Sequence, residues 1–284
     1  MNIQWYPGHM TKAKRAMQED LKLVDLVIEI TDARVPLSGR NPDLFAMAKD
    51  KSRVVIFNKA DLADPARTKR WMERFSEEGL YCMAMDARNG EGKKQIQAVI
   101  AQATKEKTER DRKRGILNRP VRAMVAGIPN SGKSTFINTM AGKASAKTGN
   151  KPGVTRGNQW IRLNKQLELL DTPGILWPKF EDSQVGLKLA LIGSIKDDIL
   201  NVTELSWELI RFLQREYPKA LPERYGLEEA TEKKPEVLLS DIAVARNCLK
   251  KGGEADTDRA AALVLEDFRS GRLGRITLES VSEA

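Results

Sequence analysis

The sequence predicts an α/β protein: a mostly parallel sheet with helices on both faces over residues 1–178, then a small all-helical domain over 179–284. Three observations lead there. Short apolar runs at 23–30, 53–57, 80–85 and 121–127 alternate with stretches of helical periodicity, as βα units of a parallel sheet do. The runs at 53–57 and 121–127 each deliver a polar or glycine-rich loop at their C-terminal end, where open α/β sheets bind ligands. From about residue 180 onward the apolar residues recur at helical spacing instead.

Taken in order, Met10 to Leu21 reads as a helix with Ala13, Met17 and Leu21 on one face. A strand follows at Leu23 to Ile30 and a loop at Asp32 to Pro42. The strand RVVIF (53–57) is followed by a helix near Pro65 to Glu78, the strand Leu80 to Met85 and a helix near Gln95 to Lys107. Val121 to Gly127 is a buried strand, and Ser134 to Met140 begins a helix. Trp160 to Leu163 and Leu167 to Leu170 form a hairpin around Asn164-Lys165. In the helical domain Leu205, Leu209 and Phe212 share a stripe, as do Leu238, Ile242, Ala245 and Leu249, and Leu263, Val264 and Phe268. Pro218, Gly252-Gly253 and Gly271 punctuate these segments. The stripes serve either as the core of this domain or as a surface that docks on RNA or protein.

The segment Gly127-Ile128-Pro129-Asn130-Ser131-Gly132-Lys133-Ser134 fits G-x-x-x-x-G-K-[ST] at every fixed position, between a strand and a helix. Such a loop turns backbone N–H groups and a helix N-terminus toward phosphate, so Asn130, Ser131, Gly132, Lys133, Ser134 and Thr135 are candidate nucleotide-binding residues. Lys133 bridges the β- and γ-phosphates in this reading, and the Ser134 hydroxyl binds magnesium. Asn58-Lys59-Ala60-Asp61, after the strand at 53–57, selects the base. A carboxylate at Asp61 accepts from both the ring N–H and the amine of guanine. Adenine offers no such pair, and an unmatched carboxylate costs roughly 1–3 kcal/mol or more. Asn58 braces the loop, and the stem of Lys59 covers the base.

Weaker signals fall where a guanine site needs them. Asp171-Thr172-Pro173-Gly174 follows an apolar run; Asp171 holds magnesium through water and the Gly174 N–H reaches the γ-phosphate. Thr155 lies between the phosphate loop and Asp171, as a magnesium-sensing threonine does. Asp86 and Ala87 supply the backbone N–H that reads guanine O6. The guanine motif precedes the phosphate loop by 69 positions, the reverse of an ordinary small GTPase, so a circular permutation is expected. The loop at 171–174 is then continuous with the helical domain, and nucleotide state is expected to reorient that domain.

Trp5-Tyr6-Pro7-Gly8-His9-Met10, Asp32-Ala33-Arg34-Val35-Pro36, Pro152-Gly153-Val154-Thr155, Gly271-Arg272-Leu273-Gly274 and the motifs above resemble those of the circularly permuted GTPases of the YlqF/YawG class, over essentially the whole chain. The resemblance implies a GTP hydrolase in late assembly of the large (50S) ribosomal subunit, bound to precursor rRNA and ribosomal proteins and stimulated by the particle. It implies a cytoplasmic setting with GTP as substrate and Mg²⁺ as cofactor. A GTP-regulated RNA-binding scaffold in which hydrolysis is incidental is the alternative. Ile175 stands where many GTPases carry a water-orienting glutamine, so slow intrinsic turnover of about 10⁻⁴–10⁻² s⁻¹ is expected. Two residues are candidates to compensate. His9, the single histidine, either positions water or is an exposed residue near a terminus. Asn130 either helps hold K⁺ or is a turn residue with a local hydrogen bond. Lys133 and Thr155 complete the catalytic set.

Composition fits this picture. Cys82 and Cys248 have neither disulfide nor metal-ligand spacing, and no signal peptide or 18-residue apolar run occurs, so no membrane is expected. Residues 1–180 carry a net charge of +14 and residues 181–284 a net of −5. The basic half suits RNA phosphates, or it aids solubility and balances bound GTP. The run 105–119 is the densest in charge, and a solvated helix accounts for much of it. A monomer off the ribosome and no DNA partner are expected.

Overall fold

The computed structural model describes residues 10–117, 119–142, 159–174, 176, 182–228 and 230–283. By its internal packing the chain forms two units. Of the described residues, those from 10 to 176 with 279–283 make the first, and those from 182 to 278 the second. Residues 279–283 thus belong with the first unit although the helical domain precedes them in the chain.

The first unit is built on a six-stranded sheet of order β3-β2-β1-β4-β6-β5. Its strands are β1 (Leu26–Asp32), β2 (Ser52–Asn58), β3 (Tyr81–Met85), β4 (Val121–Ala126), β5 (Gln159–Arg162) and β6 (Leu167–Asp171). All pairs are parallel except β5 with β6, the expected hairpin at one edge. Every residue of β1 is buried, as befits a strand covered on both faces. On one face Ile28, Ile30 and Ile56 pack with Ile96 of α4 (Lys93–Ala103) and Phe136 of α6 (Lys133–Ala141). On the other, Val27 and Met124 meet Met17 and Leu21 of α1 (Met10–Leu23), while Phe57 meets Trp71 and Phe75 of α3 (Pro65–Glu77). Each such side chain, fully buried, contributes about 1.5–3 kcal/mol before entropy is counted.

Several boundaries differ from the sequence reading. Leu23 ends α1 and is half exposed, and β1 starts only at Leu26. Asp25 occupies the turn between them, its carboxylate accepting from Arg122 N and Arg119. A short helix α2 (Pro42–Met47), capped by Asn41, begins where the loop at Asp32 to Pro42 ends, in a stretch to which the sequence reading assigns no element. The single helix near 95–107 is two helices, α4 and α5 (Lys105–Lys113), which meet at Thr104. None of α5 is buried, consistent with a solvated charged helix.

The second unit contains α7 (Ser183–Leu191), α8 (Val202–Glu216), α9 (Ala220–Tyr225), α10 (Pro235–Ala245) and α11 (Thr257–Arg269). Its core confirms helical stripes but shifts their registers. Leu213 rather than Phe212 joins Leu205 and Leu209; Leu239 and Ala243 join Leu238 and Ile242, while Ala245 and Leu249 face solvent. Leu265 joins Val264 and Phe268, leaving Leu263 half-buried. Asp267 is fully buried and accepts from Arg224, Arg272 and the Tyr225 hydroxyl.

Candidate functional site

Five parallel strands point their C-terminal ends to one side of the sheet, with β4 stopping at Ala126 beside Glu29 of β1. Asp32 lies beside Asn58, Asn58 beside Met85, and Val125 beside Asp171. The loops that follow therefore converge, as ligand-binding loops do in open α/β sheets.

The phosphate loop runs from β4 into α6. Gly132 sits at the N-cap with φ +94°, and a Cβ there would come 2.1 Å from Asn58 Nδ2, so this position requires glycine. Lys133 is buried, and its Nζ donates to the carbonyls of Gly127 and Ile128 at 3.2 and 3.0 Å. Burial pushes the Lys133 ammonium down to about 8, with the charge of Asp171 acting in the opposite sense. Asp171, the last residue of β6, is pushed up to about 6 by burial, against the charge of Lys133. The next residue, Thr172, donates from its hydroxyl to Val125 O at 2.8 Å and ties this loop to β4. A Cβ on Gly174 would come 2.8 Å from Lys133 Nζ and 3.0 Å from the Pro129 backbone, so the chain at 174 approaches the lysine as closely as glycine allows.

Two buried polar atoms here, Ser131 Oγ and Asp171 Oδ1, have no partner among the described residues. Buried polar groups are rarely left unpaired. An anionic phosphate and a divalent cation supply the missing partners of a hydroxyl and a carboxylate beside a lysine, so the residues present fit a magnesium nucleotide.

At the Asn58 end of the site, one side chain joins three loops. Asn58 donates through Nδ2 to Ser131 O at 2.8 Å, and its Oδ1 accepts from Ala87 N at 3.1 Å. Thr139 Oγ1 of α6 donates to Ala87 O at 2.6 Å, a tie with no sequence signature. Ala60 N bonds Met85 O at 3.2 Å. The N–H of Ala87, expected to read guanine O6, thus already serves Asn58 and reaches a base only by sharing. Asp86 turns inward and accepts from Arg88 N and the Asn89 amide. Asp61 is exposed to solvent; partial burial and the nearby charge of Asp86 raise its carboxyl above the usual value.

Lys59 adopts a left-handed φ of +57° and places Nζ 3.0 Å from Asp32 Oδ2. Asp32 also receives Arg34 Nε and Nη2, both at 2.9 Å. Burial raises the Asp32 carboxyl, but Arg34 and Lys59 more than offset it and hold it well below the usual carboxylate range. Burial lowers the Lys59 ammonium, and Asp32 opposes that shift. In the sequence reading, Asp32 and Arg34 figure only within the family-like Asp32-Ala33-Arg34-Val35-Pro36, with no part in the site; the structure makes the pair the partner of Lys59. His9, Thr155 and Ile175 lie outside the described residues.

A phosphate loop, an Asn-Lys-x-Asp loop and an Asp-x-x-Gly loop gathered at the strand ends of a mostly parallel sheet define a P-loop GTPase. The family described as 50S ribosome-binding GTPase matches residues 122–240. Ribosome biogenesis GTPase A of Priestia megaterium is 49% identical over 285 residues, covering 100% of this chain and 99% of that one. The protein of that name from Thermotoga maritima is 32% identical, covering 98% and 94%. The GNP-bound crystal structure of YlqF from T. maritima superimposes with a TM-score of 0.67 at 28% identity, covering 95% of this chain and 98% of the other. The chain belongs to this family of YlqF-class GTPases, and it is a GTP hydrolase.

Proposed function

We propose that this GTPase is a circularly permuted switch that binds Mg·GTP, engages the maturing large (50S) ribosomal subunit late in assembly, and hydrolyses GTP in response to that particle. The observation that carries the reading is the bridge made by Asn58, which fastens the guanine loop to the phosphate loop and to the loop at Ala87. Because this bridge makes one site of motifs in inverted order, the permutation leaves the ligand chemistry intact. Full-length likeness to proteins named for ribosome biogenesis supports the partner.

Within the site, Asp61 takes the guanine N–H pair, Lys59 covers the base, and Ala87 N–H divides itself between Asn58 and O6. Asn130 to Thr135, with Gly174, surround the phosphates. Ser134, Thr155 and Asp171 would hold Mg²⁺, which neutralises charge developing on the β- and γ-oxygens. Lys133 neutralises the same oxygens from the protein side. Ile175 cannot hydrogen-bond a water, so turnover of the isolated protein is slow, and His9 or a group of the particle orients the nucleophile once the complex forms. Asn130 contributes to a K⁺ site beside the phosphates. The basic GTPase half meets rRNA phosphates, in the cytoplasm, with the protein a monomer when unbound. Among the described residues no helix is long and apolar enough to cross a membrane.

GTP hydrolysis measured with and without purified subunits, in potassium and in sodium buffer, tests this. Stimulation by the large subunit alone is expected, with potassium dependence abolished in Asn130→Ala. No stimulation by either subunit removes the ribosomal partner, and stimulation that survives His9→Ala moves water positioning onto the particle.

A further inference from the structure

Asp32, Arg34 and Lys59 do not stand by themselves. The chain leaves β1 at Asp32 and makes a compact turn through 33–41, in which Val35 N bonds Asp32 O and Gly39 N bonds Val35 O. The turn presents two adjacent N–H groups, those of Leu37 and Ser38. Both are taken by one carboxylate, that of Glu279, 242 and 241 positions away. Glu279 Oε2 accepts from Leu37 N at 2.7 Å, and Oε1 accepts from Ser38 N at 3.1 Å and from the Ser38 hydroxyl. The backbone carbonyl of Glu279 accepts from Trp71 Nε1 at 3.3 Å, and Val281 packs on the cluster of Trp71 and Phe75. Glu279 is only 3% exposed, and it is the first residue at which the chain rejoins the GTPase unit after the helical one.

A charged acceptor on two backbone N–H groups and a hydroxyl is a strong fastening, and removing it leaves buried donors unpaired. The fastened turn carries Arg34, whose guanidinium holds both oxygens of Asp32. Asp32 in turn holds Lys59 Nζ. Three contacts, Glu279 to the turn, Arg34 to Asp32 and Asp32 to Lys59, therefore link the C-terminal segment to the lysine expected to cover the base.

We propose that Glu279 is a positioning residue for nucleotide binding: its clamp on the 33–41 turn fixes Arg34 and Asp32, and through them the place of Lys59 over guanine. The assignment rests on the guanine-binding reading of Lys59. Because Glu279 follows directly on the helical unit in the chain, whatever pulls on that unit's C-terminus acts on the guanine end of the site and so on nucleotide release.

The test is a double-mutant cycle on the full chain, read as the dissociation rate of a fluorescent GDP analogue. Glu279→Ala is expected to release GDP about tenfold faster, and Glu279→Gln, which retains one acceptor, about threefold faster. In a Lys59→Ala background Glu279→Ala is expected to add nothing further, because its effect runs through Lys59. A merely structural role predicts additive effects instead, and additivity overturns the proposal. So does unchanged release in both Glu279 variants while Lys59→Ala accelerates it. If Lys59→Ala itself leaves release unchanged, the guanine-binding reading of that lysine fails first. Should Glu279→Ala fail to fold, the glutamine variant carries the same cycle.

Discussion

Replacing Asn58 with alanine removes two hydrogen bonds, to Ser131 O at 2.8 Å and from Ala87 N at 3.1 Å. Asn58, Ser131 and Ala87 are all buried, so the abandoned carbonyl and N–H find no ready water. Each costs about 1–3 kcal/mol. Partial relaxation of the loops places the sum in the lower half of that combined range, about 2–4 kcal/mol, or about 30- to 700-fold in an equilibrium constant. The cost divides between folding and binding. The nucleotide-free protein loses stability, and any bound nucleotide must then order three loops that Asn58 had joined beforehand. Denaturant unfolding of the free protein together with GDP titration by fluorescence reads both parts. Asn58→Asp keeps the acceptor for Ala87 but turns a carboxylate oxygen against the Ser131 carbonyl, so it should be at least as damaging as alanine. An Asn58→Ala protein that binds GDP within about threefold of the unmodified chain, at an unchanged unfolding midpoint, would refute the bridge as the organising element of the site.

Other consequences are equally open to measurement. Gly174→Ala places a methyl 2.8 Å from Lys133 Nζ and 3.0 Å from the Pro129 backbone; displacement of that loop should slow hydrolysis by about 10- to 100-fold while GDP affinity changes little. Single-turnover kinetics beside GDP titration separate the two. Asp267→Asn withdraws the charge that receives Arg224, Arg272 and Tyr225, and should cost the helical unit about 1–3 kcal/mol in a denaturant melt. Burial opposes ionisation of Asp267, but these three donors outweigh it and hold its carboxyl below the usual value. A depressed folded-state carboxyl means that the unfolded chain takes up the proton first. This contribution is therefore complete above the ordinary aspartate value of about 3.9 and is lost as pH falls through the lower folded value. Acid titration of the melting midpoint should show that loss in the unmodified protein and a smaller one in Asp267→Asn.

Much of this molecule is determined by local sequence. The phosphate loop, the Asn-Lys-Ala-Asp tetrapeptide and the Asp-Thr-Pro-Gly turn are each contiguous in sequence, and each depends on short-range backbone geometry, so they are legible one residue at a time. The strands from 53 and from 121 are equally legible, because burial on both faces demands unbroken apolar runs. Helix registers in the second unit are not. Whether Leu213 or Phe212 points inward depends on neighbouring helices, and a stripe of 3.6-residue period tolerates a one-residue shift. The break at Thr104 is marked only by its hydroxyl donating to Ile100 O one helical turn back. Helix α1 runs past Leu21 to Leu23, after which Asp25, whose carboxylate accepts from the distant Arg122 N, turns the chain into β1. Tertiary structure alone decided the contacts that make the motifs one site: Asn58 to Ser131 across 73 positions, Thr139 to Ala87 across 52, and Glu279 to the 33–41 turn across more than 240. A hydrogen bond between residues so far apart leaves no periodicity or spacing in the chain. It exists because the sheet brings its strand ends to one side, and the unpaired polar groups gathered there must find one another.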